Sequence, residues 1–201
     1  MELSLNDVKE ADQGLLSPCG IVCLGYDVFQ YESLEAAKKI VAIWKGFNLL
    51  DVSNAFGEAF GLTPDEVSKV LELLNKFIED REKTGPCAGC FKGGGPSELC
   101  SVANCVRSNG YWTCAECDDY YAGLTTPCPH YDEDSGASPL ANRGRTSALV
   151  CKRYSNNNLE NLKRCREIGY PAFIAEIKGK VGKGWRTWQV ISDEMLFSQM
   201  E

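Results

Sequence analysis

Histidine is almost missing from this chain: His130 is the only one in 201 residues. Imidazole-based acid–base work would therefore have to rest on that single side chain. Long apolar runs are missing too. No stretch approaches the roughly 18 uninterrupted apolar residues of a membrane-crossing helix, so no membrane span is expected. The start, Met1-Glu2-Leu3-Ser4, lacks a basic segment followed by an apolar one, so no secretory signal is expected. The expected compartment is then a reducing cytoplasm, where stable disulfides are disfavoured. The chain also holds no Walker A loop, no GxSxG, no HExxH and no dinucleotide-binding glycine fingerprint.

Cysteine is what the chain has in excess. Its total of eleven is odd, which argues against a complete disulfide framework. Seven lie between Cys87 and Cys128, and two pairs have the CxxC spacing, Cys87/Cys90 and Cys114/Cys117. A CxxC turn points two sulfurs to one side, and two such turns complete a tetrahedral shell. The region from 87 to 132 is poor in aliphatic residues, so metal ligation would supply part of its folding energy.

Around this region the pattern is mostly helical. Residues 1 to 16 read as a leader with a short helix at most, and Ser17-Pro18 then delivers Cys19 and Cys23. Ser33 can cap a first helix with Leu34, Ala37, Ile40, Val41 and Trp44 on one face and Gly46 at its end. A shorter helix over 51–60 would turn Val52, Ala55, Phe56, Ala59 and Phe60 inward. Thr63-Pro64-Asp65-Glu66 is a capping box with proline at the first helical position, and Gly85-Pro86 ends the helix just before Cys87. Tyr111-Trp112-Thr113 reads as a short strand leading into the second CxxC. Beyond a polar linker at 133–146, Asn158 caps a helix stopped by Gly169, and a second helix starts at Pro171. Trp185 to Ile191 alternates like a strand, and Ser192-Asp193-Glu194 caps a last turn. The expected fold is therefore α-rich α+β with a small zinc-ribbon-like or treble-clef-like cysteine core. Its expected organisation is N-terminal helices plus a cysteine-rich domain over 1–132, the linker, and a C-terminal helical extension over 147–201.

The candidate metal ligands are Cys19, Cys23, Cys87, Cys90, Cys100, Cys105, Cys114, Cys117 and Cys128. They would hold one or two Zn2+ ions. Two groupings fit the spacing. In one, the two CxxC pairs share an ion and the rest form a second site. In the other, Cys87/Cys90 joins Cys100/Cys105, and Cys114/Cys117 joins Cys128 with Cys19 or Cys23. Cys151 and Cys165 read as buried, inert hydrophobes, and His130 as a surface histidine. An iron–sulfur cluster is the competing cofactor, although neither the bacterial nor the plant-type ferredoxin spacing is present.

The order CGxxC at Cys19-Gly20-Ile21-Val22-Cys23, CxGC at Cys87–Cys90, Cys100-x4-Cys105, CxxC at Cys114–Cys117, then Cys128 resembles domain-of-unknown-function family 3795. The resemblance covers about residues 17–130. Tyr26 and Ser97 stand where relatives often carry a further cysteine. The resemblance implies metal binding, presumed to be zinc, and no reaction.

Residues 143–186 carry eleven Lys/Arg against three acids, in a chain of net charge −7. Two readings follow: a nucleic-acid surface using Trp185 and Trp188, or a basic third that docks on the acidic remainder of the same molecule. The second is favoured. The function expected overall is a zinc-binding protein with a structural metal, acting as an interaction module, with a protein as the possible partner and no membrane. The alternatives are an iron–sulfur electron carrier or sensor, and a thiol or redox enzyme using Cys19/Cys23. A non-enzymatic role is favoured, because a shell of four thiolates leaves no open coordination position.

Overall fold

A computed structural model describes residues 2–95, 97–118 and 155–190. The chain divides into two compact units, one of Met1–Phe29 with Cys87–Glu201 and one of Gln30–Pro86. Cys128, His130, the 133–146 linker, Cys151 and the cap at 192–194 lie outside the described residues.

The Gln30–Pro86 unit is an array of three helices, α2 (Glu32–Gly46), α3 (Leu49–Phe60) and α4 (Pro64–Thr84), preceded by the single turn α1 (Asp27–Gln30). Thr63 starts α4 as its sequence demands. Its hydroxyl accepts the Glu66 N–H at 3.3 Å, and the Glu66 carboxylate accepts the Thr63 N–H at 2.9 Å. That backbone hydrogen bond, followed by the one from the Thr63 hydroxyl, holds the Glu66 carboxyl below the usual carboxylate range. The cap's electrostatic contribution is therefore present above the unfolded carboxylate pKa. It is lost as pH falls through the lower folded value. Thr63→Ala is expected to destabilise α4 by about 1 kcal/mol. The check is a urea melt of this variant against wild type at neutral pH.

Two expectations for this unit need correction. Tyr31, at a left-handed φ of 60°, precedes the first residue of α2, so Ser33 lies inside the helix and does not cap it. In α3, Ala55, Phe56 and Ala59 face solvent, Val52 is half-buried, and Ser53 is the buried position. The helical period is right, but its apolar face is wider than the surface α4 offers it.

The other unit holds the larger core. Leu15, Leu16, Val22, Val102, Val106 and Trp112 pack with Leu162, Tyr170, Phe173 and Ile177. The N-terminal stretch forms 3-10 turns at Leu5–Asp7 and Glu10–Asp12 and inserts Val8, Leu15 and Leu16 into this core. Three helices frame it: α5 (Ser101–Ser108), α6 (Ser155–Ile168) and α7 (Tyr170–Gly182). Gly169, at φ 79°, makes the sharp turn between α6 and α7 that a side chain would strain. Trp112 and Tyr170 meet edge to face at 4.7 Å, and the indole N–H donates to the Gln13 carbonyl at 2.9 Å.

The α+β expectation is overturned, since no strand occurs among the described residues. The zinc-ribbon or treble-clef core goes with it, because neither CxxC pair rides on a β-hairpin. Each ends in or spans a 3-10 turn, Cys90–Lys92 and Cys114–Glu116. Residues 111–113 run as an irregular segment in which the Trp112 and Thr113 N–H groups turn to the Glu116 carboxylate. Within the expected strand at 185–191, Thr187–Val190 is a 3-10 turn. The Thr187 hydroxyl is buried and donates to the Val22 carbonyl at 2.6 Å, which fixes the segment on the core without a partner strand. No described helix is long and apolar enough to cross a membrane.

Candidate metal centre

Cys19 and Cys23 sit on a tight loop folded on itself. The Ser17 N–H donates to the Ile21 carbonyl at 2.8 Å, and the Ile21 N–H donates to the Ser17 hydroxyl at 2.7 Å. The same hydroxyl lies 3.1 Å from the Cys19 sulfur, and the Asn158 amide of α6 reaches that sulfur at 3.8 Å. Gly20 allows this approach. Its φ is 94°, and a Cβ there would fall 2.5 Å from the Asn158 carbonyl oxygen.

Cys87 and Cys90 sit on a second loop built by glycines. The Gly89 carbonyl accepts N–H groups from Lys92 at 3.0 Å and Gly94 at 2.9 Å, which curls the chain around the pair. A Cβ on Gly94 would fall 2.7 Å from the Cys87 sulfur, and one on Gly95 3.8 Å from the Cys90 sulfur. Glycine at 94 thus leaves the Cys87 thiol room that any side chain would fill.

The two loops meet at their sulfurs. The Cys23 and Cys90 thiols hydrogen-bond to each other, and Cys19 is close enough to act on Cys23 electrostatically. That hydrogen bond from Cys23 is the main cause lowering the Cys90 thiol to about 7. Burial opposes the shift, and the nearby Arg107 guanidinium favours the thiolate. Cys23 moves the other way, pushed well up first by the same hydrogen bond and then by its burial. Of the two coupled thiols, Cys90 is the one shifted toward the thiolate. Arg107 also donates to the Ser97 carbonyl at 2.9 Å, and the fully buried Ser97 hydroxyl makes no hydrogen bond among the described residues.

The second CxxC approaches the first loop through its backbone. The Cys114 N–H donates to the Pro18 carbonyl at 2.9 Å. Arg166 of α6 clamps the turn from outside, donating to the carbonyls of Ala115 at 2.6 Å and Cys117 at 3.0 Å. Cys114 is buried, Cys117 half-buried, and Cys100 packs against the core at the start of α5. Cys105, on α5, is half-buried with the Asn109 amide 3.7 Å from its sulfur. All the described cysteines are reduced. Cys165 lies in the core, where burial pushes its thiol far up, as befits an inert hydrophobe.

The Cys23–Cys90 contact belongs to neither grouping that the spacing offers. No three or more Cys, His, Asp or Glu side chains come together as a metal-holding group among the described residues. Sequence reasoning also missed Glu116, whose carboxylate ties Leu5, Trp112, Thr113 and Tyr170 around the second CxxC. The signal was present, since Thr113-x-x-Glu116 is itself a capping box, but it overlaps the CxxC motif.

Among the described cations of the basic third, four form ion pairs, and those of Lys178 and Arg166 reach acids outside it. Lys178 pairs with Asp12 at 2.7 Å and Arg166 with Asp118 at 3.2 Å. Arg164 pairs with Glu167 and Glu176, each at 3.1 Å, and Lys180 with Glu176 at 3.0 Å. Trp185 packs partly buried against the core, whereas Trp188 is exposed.

A protein-family model described as a protein of unknown function (DUF3795) matches residues 15–133. No curated protein and no solved structure matches the chain.

Proposed function

We propose that this chain, which belongs to the DUF3795 family of proteins of unknown function, binds zinc through thiolates and uses the metal as a structural cross-link. The observation that carries the reading is the contact between Cys23 and Cys90, two sulfurs from loops far apart in sequence, with Cys19 on the same loop as Cys23. The donors fit a soft divalent ion. They are thiols, one of them already acidic enough to ionise near neutral pH, and Gly94 leaves space beside a fourth, Cys87. Cys19, Cys23, Cys87 and Cys90 would hold one ion. Cys100, Cys105, Cys114, Cys117 and Cys128 are the donors for a second. A bound zinc ion supplies a cross-link here and, in an all-thiolate shell, no open position for a substrate. With Lys178, Arg164, Arg166 and Lys180 engaged by acids of the same unit, the interaction module reads as one for protein partners more than for a polyanion.

Metal analysis of the anaerobically purified, reduced chain tests the proposal. The expected result is colourless protein with one or two zinc ions per chain. Cys90→Ser should lose one of them, and zinc-edge absorption of the unaltered protein should show sulfur-only ligation. Metal-free protein whose thiols all titrate rapidly would overturn the reading. Iron with visible absorbance would replace it with the iron–sulfur alternative.

A further inference from the structure

The Gln30–Pro86 unit has very different ends. At one end, the Tyr31 hydroxyl donates to the Arg81 carbonyl at 2.9 Å, the Arg81 guanidinium stacks over the Tyr31 ring at 4.6 Å, and Lys38 pairs with Glu82 at 2.8 Å. These contacts bring the start of α2 against the end of α4. The opposite end, residues 40–73, contains the α2–α3 and α3–α4 connections, and every large hydrophobic residue of the unit described as exposed lies there. On α2, Ile40, Ile43 and Phe47 recur at helical spacing along one stripe. On α3, Leu50 and Phe56 are exposed, and Leu62 follows in the connection. On α4 the exposed residues are Val70 and Leu73, with Phe47 at 62% and Leu73 at 67% exposure.

Eight such side chains, each about half exposed, present about 800 Å² of apolar surface. That sum is comparable to one partner's share of a standard interface, about 800 Å². The unit also has little interior of its own. Among the residues whose burial is described, the buried ones are Leu34, Ala37, Val41, Ser53 and Val67. Units of about 60 residues are marginal without help, and oligomerisation is a common remedy.

We infer that the 40–73 end of this helical unit is a self-association surface whose occupant is a second copy of the chain. A self-complementary patch closes as a two-fold dimer and would give both copies the apolar burial that each lacks. Charge agrees with that occupant. Residues 30–86 carry ten acids and seven bases, a weak net field that neither selects an oppositely charged partner nor strongly opposes pairing at ordinary salt. The inference is independent of the cysteine loops and of any metal.

Sedimentation of the full chain from about 1 to 100 μM tests it, with melting followed over the same range, because a folded dimer's midpoint rises with concentration. A dimer and a rising midpoint are expected. Phe47→Glu with Leu73→Glu, both at exposed positions, should shift the dissociation constant at least tenfold with helical circular dichroism retained. Trp188→Glu, in the other unit, should leave it unchanged. A monomer throughout the range overturns the inference, and so does a dimer that the double substitution leaves intact. A monomer that co-purifies with a different protein on this surface also overturns the second copy as its occupant.

Discussion

Replacing Glu116 by alanine is expected to cost about 2–4 kcal/mol of stability, the scale set by several charge-assisted hydrogen bonds lost together. One carboxylate oxygen accepts the Tyr170 hydroxyl at 2.8 Å, the Thr113 N–H at 3.3 Å and the Trp112 N–H. The other accepts the Leu5 N–H at 3.2 Å. Trp112, Thr113 and Tyr170 are fully buried, so water cannot readily replace the missing acceptor. Tyr170 would keep the Thr113 hydroxyl, 2.9 Å away, but Trp112 would lose the side-chain acceptor of its N–H. For a chain of this length the loss corresponds to a fall in melting midpoint of about 5–15 °C. Glu116→Gln keeps an acceptor oxygen and should cost less than half as much. Tyr170→Phe combined with Glu116→Ala should cost less than the two changes summed, since they share a bond. Glu98→Ala, at an exposed position of the same unit, is the control. Stability within about 0.5 kcal/mol of wild type for Glu116→Ala would mean the carboxylate is not the organiser of this corner.

The same residue shows why part of the site was illegible. Thr113-Cys114-Ala115-Glu116 is two motifs at once, and only the one in cysteine announces chemistry. Where a motif is local and single, sequence served well. Thr63-Pro64-Asp65-Glu66 starts α4 and Gly85 ends it, because a cap is satisfied by residues three or four apart. Non-local questions failed in two ways. The alternation at 185–191 is what a strand would show, but seven residues cannot report whether a partner strand exists, and the buried Thr187 hydroxyl ties the segment to Val22 instead. Likewise, α3 has a helical apolar face in sequence, yet how much of it is covered depends on the area its neighbours present. CxxC spacing fixes the geometry within each pair and says nothing about which loop arrives opposite. The meeting of Cys23 with Cys90 follows from the glycine-built turns and from the burial of Leu15, Leu16 and Val22, which positions the first loop.

On the proposed metal reading, chelating zinc from the reduced chain should have an effect at least as large. From Cys87 to Gly95 only Gly89 is buried, and it brings no side chain to the core. Phe91 packs against the core only in part. Ordering such a segment costs on the order of 1–2 kcal/mol per residue in backbone entropy, and so little burial cannot offset it. Cross-linking by thiolates is the term of sufficient size, worth about 10–16 kcal/mol for structural zinc in small metal-dependent folds. A larger scaffold recovers part of this after the metal leaves, because the core around Trp112, Leu162 and Tyr170 is formed by other segments. Removal is therefore expected to lower the melting midpoint by more than about 10 °C, corresponding to several kcal/mol at this chain length. Amide hydrogen exchange should rise over residues 17–25 and 87–95. It should change little in α4, whose capping box and packing against α2 and α3 do not involve sulfur. Returning zinc should restore both readouts, and Cys23→Ser should make the protein insensitive to chelation at the 17–25 loop. Unchanged melting and exchange after verified removal of bound zinc would show that the two loops are held together by packing alone.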